Sequence, residues 1–213
     1  MVFIMDRSGS MSGLEKDTIG GFNSTIEKQK QEPGEAIVST VLFDNEMEVL
    51  HDRIPIANVP AMTDKEYYAR GCTALLDAVG LAIHHIGNVH KYARDEDRPE
   101  KTIFVITTDG YENASHIYTA KKVKEMVERQ KSKYGWEFIF LGANIDAVET
   151  ARGFGIAEDR AANFVCDEAG IAMCYSAQNT VMRNIRMNVQ DCSWKDEIEE
   201  DVKKRSRTKK SRF

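Results

Sequence analysis

Asp6, Ser8 and Ser10 stand in Asp6-Arg7-Ser8-Gly9-Ser10, directly after the apolar run Val2-Phe3-Ile4-Met5. They supply a carboxylate and two hydroxyls at alternate positions. Hard oxygens of this kind suit Mg²⁺ or Mn²⁺, and nothing among them is soft enough to prefer zinc or copper. Short Asp/Ser/Gly stretches are also ordinary turn chemistry, so the pentapeptide alone does not decide between turn and site. Two further residues tip the balance. Asp109 ends the apolar run Thr102-Ile103-Phe104-Val105-Ile106-Thr107-Thr108. Thr73, in Arg70-Gly71-Cys72-Thr73-Ala74-Leu75-Leu76-Asp77-Ala78, offers a third hydroxyl where a helix is expected to start. Two carboxylates and three neutral hydroxyls would leave Mg²⁺ nearly neutralised but short of its octahedral shell. An incoming Glu or Asp could complete that shell through a charge-assisted contact. The set contains no evident general base, so it reads as a site that binds.

In this order the five residues resemble the von Willebrand factor A (vWA) domain and its metal-ion-dependent adhesion site. That family's pattern is Asp-x-Ser-x-Ser, a distant Thr, and an Asp preceding Gly, matched here by Asp6, Ser8, Ser10, Thr73 and Asp109-Gly110. The resemblance implies a divalent ion, Mg²⁺ or Mn²⁺, with one position open to an acidic residue of a protein partner. It implies direct ligation by the serines. Thr73 and the two aspartates would exchange between direct and water-mediated contact if the domain switches. Phe140-Leu141-Gly142-Ala143-Asn144-Ile145-Asp146-Ala147, followed by Gly153-Phe154-Gly155-Ile156, is similar to small stand-alone bacterial and phage vWA proteins.

Positioning these residues takes alternating helices and strands. Val2–Met5 reads as a strand buried on both faces, as in parallel sheets. Ligands of open α/β sheets collect beyond the carboxyl ends of such strands. Leu14 to about Gln31 carries Ile19, Phe22 and Ile26 at helical spacing and ends at Pro33-Gly34. Residues 36–43 are β-rich, and Asp44-Asn45 predicts a hairpin turn into Met47–Leu50, an antiparallel edge strand like that of vWA sheets. Residues 58–68 read as irregular with a short helical turn. Leu75 to about Tyr92 is expected to be helical, with Val79, Ile83, Ile86 and Val89 facing the sheet. Ala120, Val123, Val127 and Tyr134 mark another amphipathic helix. Trp136–Leu141 and Ala162–Cys166 are the remaining strands, and residues 170–189 form the last helix. The expected fold is α/β, doubly wound, with a mostly parallel sheet, one antiparallel edge strand and helices on both faces. The resemblance to the vWA domain covers residues 1–190. Residues 191–213 form a charged C-terminal tail expected to be disordered: an acidic block (Asp196, Glu197, Glu199, Glu200, Asp201), then a basic one from Lys203. The two blocks can pair within or between chains.

Composition narrows the function classes. The length fits one domain with a substantial core. A net charge of −5 argues against a general nucleic-acid surface, leaving only the basic tail as a minor candidate. No apolar stretch approaches the ~20 residues of a membrane span. Asp6 interrupts any signal-peptide core, so a cytoplasmic location is expected, with Cys72, Cys166, Cys174 and Cys192 as reduced, incidental thiols. The five histidines lack ligand spacing, and Gly153-Phe154-Gly155 lacks the third glycine of a dinucleotide loop. Asp44 and Asp77 are candidates to orient the site through hydrogen bonds, or simply to cap or solvate. The competing functional class is a Mg²⁺-dependent phosphohydrolase of the aspartyl-phosphate type. Such an enzyme wants a second carboxylate two residues after the nucleophilic Asp. Ser8 occupies that place, so a non-enzymatic interaction module is the expectation.

Overall fold

The computed structural model describes residues 1–210. Six strands form one sheet: β1 (Val2–Asp6), β2 (Ile37–Phe43), β3 (Met47–Pro55), β4 (Ile103–Thr108), β5 (Glu137–Gly142) and β6 (Ala161–Asn163), in the order β3-β2-β1-β4-β5-β6. All pairings are parallel except β2 with β3, which makes β3 the antiparallel edge. The helices are α1 (Glu15–Lys30), α2 (Leu75–Tyr92), α3 (Ala120–Tyr134), α4 (Ala147–Gly153), α5 (Glu168–Arg186) and α6 (Asp196–Lys210).

Strand alternation divides the core between two faces. Phe3 and Met5 of β1 pack with Phe22 and Ile26 of α1 and with Ile171 and Val181 of α5. Val2 and Ile4 pack on the other face with Val79 and Ile83 of α2 and with Val123 and Val127 of α3. Both faces are covered, which is why the central strands are continuous apolar runs. The predicted doubly wound α/β architecture is present.

Local signals account for most boundaries. Thr119, Asp146 and Asp167 accept from the backbone N–H of Lys122, Glu149 and Gly170, capping α3, α4 and α5. Gly135 closes α3 in the left-handed conformation at φ 65°.

Four expectations need correction. Tyr134, expected on the inner face, is exposed: it sits in the last turn of α3, past the sheet-facing Val123 and Val127. Val89 is only half-buried. The last strand ends at Asn163 rather than Cys166, because Phe164–Cys166 leaves the sheet toward the loops at its carboxyl edge. The tail expected to be disordered carries α6, whose foot is buried. Trp194 and Ile198 join the α1/α5 core, and Glu199, Glu200 and Asp201 pair with Lys203, Lys204 and Arg205 one turn on. The acidic and basic blocks pair within one helix. Residues 211–213 lie outside the described residues.

Candidate metal centre

Parallel register sets the two carboxylates side by side. Met5 is level with Thr107, so the chain leaves β1 at Asp6 and β4 at Asp109 along one edge of the sheet. Ser10, 99 residues before Asp109 in the chain, donates its hydroxyl to Asp109 Oδ1 at 2.5 Å. Ser8 Oγ lies 3.1 Å from Ser10 Oγ. Thr73 arrives from the loop before α2. A Cβ built on Gly110 would stand 3.5 Å from Thr73 Oγ1 and 3.6 Å from Ser10 Oγ, so both hydroxyls border the space that this glycine leaves open. All five predicted residues therefore converge. Asp6, Ser8, Thr73 and Asp109 are buried, and Ser10 alone is exposed.

The loop carrying Thr73 is tied down along its length. Arg70 N–H donates to Arg7 O, Gly9 N–H to Gly71 O, and Ala74 N–H to Asp44 O, at 2.8, 3.1 and 2.7 Å. Gly71 has φ 69°, which favours glycine, and a Cβ there would stand 2.1 Å from Asn45 Oδ1, so any larger residue would be strained and would displace the Asn45 side chain. On the far side, Asn113 Oδ1 accepts from Thr73 N–H at 2.9 Å.

Other residues hold the ligand groups in place, and sequence reasoning missed them. Thr108 donates its hydroxyl to Asp6 Oδ2 at 2.6 Å, and Ser8 N–H donates to Asp6 Oδ1 at 2.7 Å. Tyr67, fully buried, donates to Asp6 O at 2.5 Å. Cys166 sets its thiol 3.5 Å from Asp109 Oδ2, and burial together with the Asp109 charge pushes that thiol up to about 12. A polar Thr107-Thr108 pair closing an apolar strand was a readable hint for Thr108. Tyr67 and Cys166 carry no local signal. Among the described residues, the hydrogen bonds of the Asp44 and Asp77 side chains go to groups other than the five. Asp44 Oδ2 accepts from Nε of both Arg7 and Arg70 (2.9 and 2.8 Å), and Asp77 accepts from the backbone N–H groups of His116, Ile117 and Tyr118.

The electrostatics suit a cation. Burial raises the Asp6 carboxyl to about 6, against the lowering effect of the Thr108 and Ser8 hydrogen bonds, and nearby Asp109 adds to the rise. Among the described residues neither Asp6 nor Asp109 pairs with Lys, Arg or His. The Arg7 side chain turns away to Asp44 and Glu48. Two buried carboxylates without a counter-charge are costly, and a divalent ion would relieve that cost. Neighbouring ligands of an Mg²⁺ octahedron lie about 3 Å apart, close to the Ser8–Ser10 separation. Among the described residues no three His, Cys, Asp or Glu side chains gather into a metal-binding group.

The sequence matches no protein-family model, and no curated protein matches it. Solved structures do share the fold. Proximal thread matrix protein 1 of the mussel byssus, with a zinc-occupied MIDAS motif, superposes with a TM-score of 0.61 at 14% identity, over 85% of this chain and 45% of that one. A von Willebrand factor type A protein from Catenulispora acidiphila gives 0.53 at 14% identity, over 84% and 41%. Manganese-loaded TRAP from Plasmodium vivax gives 0.52 at 14% identity, over 81% and 70%. The chain has a vWA-type fold and spans less than half the length of the byssus and Catenulispora proteins.

Proposed function

We propose that this chain is a divalent-metal-dependent protein-interaction module without enzymatic activity. Asp6, Ser8, Ser10, Thr73 and Asp109 would hold Mg²⁺ or Mn²⁺, and a partner's Glu or Asp would take the open position. The observation that carries the reading is the convergence of five hard-oxygen side chains around two buried carboxylates that lack a cationic partner. Zinc and manganese in two proteins of the same fold support it. The ion would supply Lewis acidity toward the incoming carboxylate. The chain's own groups fix the geometry: Thr108 and Ser8 N–H orient Asp6, Ser10 orients Asp109, and Asn113 holds Thr73. A phosphohydrolase is disfavoured because Ser8 stands where a second carboxylate is needed, and because Asp6 is 2% exposed with both oxygens hydrogen-bonded. Among the described residues no helix is long and apolar enough to cross a membrane. A reducing, cytoplasmic setting fits the four free cysteines.

The test is a pull-down with wild-type protein in Mg²⁺, the same protein in EDTA, and Thr73→Ala in Mg²⁺. The principal partner should be captured only in the first. Without the ion, Asp6 and Asp109 would face the partner's carboxylate, and like charges across an interface cost several kcal/mol. Equal capture in all three, or metal-dependent phosphate release from an aryl phosphate, overturns the reading.

A further inference from the structure

The loops around the candidate metal centre present small, uncharged groups at almost every position. Residues 9–13, 71–73 and 110–113 carry one charged side chain, Glu112. Its two oxygens are taken up inside the molecule. Glu112 Oε2 accepts from Leu76 N–H at 2.9 Å, and Oε1 accepts from the N–H groups of Ala114 and Ser115 at 3.0 and 2.7 Å. Arg70 borders the second of these loops, but its guanidinium is held by Asp44. The three loops therefore offer one metal position to an acidic residue and no cation to a second.

Tyr111 breaks the pattern of small groups. It is 66% exposed, and it is the one large apolar side chain that these loops leave open, since Met11 is buried. Its backbone is braced on both sides. Gly110 before it borders the hydroxyls of Thr73 and Ser10. After it, Asn113 N–H donates to Thr73 O at 3.0 Å, and Asn113 Oδ1 accepts from Thr73 N–H at 2.9 Å. Among the described residues the Tyr111 side chain makes no hydrogen bond, ring stack or cation contact. An aromatic residue held at its backbone and bare at its ring gives up little freedom on binding and has a large area to bury, which is the character of an interface anchor. Its distance from the centre also fits a simple ligand. Tyr111 lies two residues after Asp109, so their Cα atoms are at most about 7.6 Å apart. In an extended peptide the side chains of one face recur every second residue, about 7 Å apart.

We infer that Tyr111 selects the partner: it recognises an extended protein segment in which a bulky apolar side chain stands two residues from the single Glu or Asp on the metal and packs against the Tyr111 ring. This inference rests on the proposed metal-dependent reading and adds to it a second, uncharged element of recognition.

Four labelled Ser/Gly peptides of equal length test it on the full chain by fluorescence anisotropy. One carries a lone Glu, two carry Phe two residues before or after the Glu, and the fourth carries Phe six residues away. In Mg²⁺ the better of the two closely spaced peptides should bind about tenfold tighter than the lone-Glu peptide, and the distant Phe should add little. Apolar packing is not screened, so the advantage should persist in high salt. Tyr111→Ser should erase it and Tyr111→Phe should keep it, with the Mg²⁺-induced rise in Tm unchanged in both variants. EDTA should abolish binding of all four peptides. Equal affinity for near and distant Phe, an advantage that survives Tyr111→Ser, or one that Tyr111→Phe destroys overturns the role of the ring, while lone-Glu binding in Mg²⁺ keeps the metal-dependent reading. A Tm that rises with Mg²⁺ while no peptide binds leaves the ion in place and overturns the inferred recognition. If neither a Tm rise nor peptide binding is seen, the metal-dependent reading fails as well. Phe-dependent binding that survives EDTA also overturns the inference, because the apolar contact would then act without the ion.

Discussion

Arg70 donates its backbone N–H to the carbonyl of Arg7 at 2.8 Å, joining the loop that carries Thr73 to the loop that carries Ser8 and Ser10. Their side chains repeat the link, since one oxygen of Asp44 accepts from Nε of each arginine. The Tyr68 ring lies 5.6 Å from the Arg7 guanidinium carbon and 5.3 Å from that of Arg70. Arg7 is fully buried, so the first variable position of Asp-x-Ser-x-Ser acts as an internal strut.

Removing one side of that strut should be costly. Asp44→Ala leaves the Arg7 charge buried beside only the half-exposed Glu48, and losses of about 3–5 kcal/mol are typical of such breaks. Combining Asp44→Ala with Arg7→Met should recover a good part of the loss, because no uncompensated charge then stays inside. Urea unfolding of the single and double variants checks both statements. A double variant no more stable than Asp44→Ala would show that the strut acts by shape and not by charge.

Metal binding should appear as stability. At an ion concentration about ten times Kd, linkage gives ~1.4 kcal/mol, or roughly 3–5 °C in Tm for a chain of this size. Asp6→Ala and Asp109→Ala should each remove the shift. Melting curves across millimolar Mg²⁺ and Mn²⁺ are the measurement, and an unmoved wild-type curve counts against the whole site.

The metal effect should depend on pH. Burial raises Asp6 from 3.8 to about 6 in the folded metal-free chain, so the folded state holds that proton more tightly than the unfolded one. This group's contribution to stability is therefore fully present below about pH 4 and is lost as pH rises through about 6. An ion needs the ionised carboxylate, so Mg²⁺ stabilisation should be weak below pH 6 and grow above it. Differential melting with and without Mg²⁺ from pH 5 to 8 reads this directly. A Mg²⁺ shift as large at pH 5 as at pH 8 would contradict it.

Asp44 should give the opposite pH signature. Burial pushes its carboxyl up, but hydrogen bonds from Arg70, the Glu46 N–H and Arg7 outweigh that and hold it below the usual value. Its contribution is present above pH 3.8 and disappears as pH falls through the lower folded value. The stability gap between wild type and Asp44→Asn should thus narrow on acidification below pH 4. A gap that widens there would be the contrary result.

Trp194 tests the status of the C-terminal segment. A disordered tail would tolerate Trp194→Ala at no cost, whereas a Trp only 4% exposed and bonded to Asp159 O should cost about 3–5 kcal/mol. Chemical denaturation distinguishes the two, and a change under 0.5 kcal/mol, ordinary for surface positions, would mean that α6 does not dock.

The strands, the hairpin at Asp44-Asn45 and the convergence of the five oxygen-bearing residues at one sheet edge were legible because each rests on a local pattern. Apolar runs mark buried strands, and the polar residues just past them stand at the sheet edge. Thr108, Tyr67 and Cys166 were harder to read because their roles depend on which loops meet across the sheet, with partners 102, 61 and 57 residues away. Helix α6 was missed for a different reason. Its composition is that of a solvated tail, and its i,i+4 ion pairs and two apolar anchors, Trp194 and Ile198, are outnumbered by charge.

The position of α6 also settles how the sheet is bordered. At one side β6 is only three residues long and α6 packs along it, so few backbone groups there are free to accept another strand. Strand addition by a second copy would have to begin at β3, on the opposite border. That border is a poor template. Arg53 bends it at φ 54°, its register with β2 is broken around Thr40, Glu48, Asp52 and Arg53 are exposed along it, and Pro55 ends it without an N–H to donate. The molecule thus keeps a long, largely parallel sheet while offering almost no edge along which that sheet could grow.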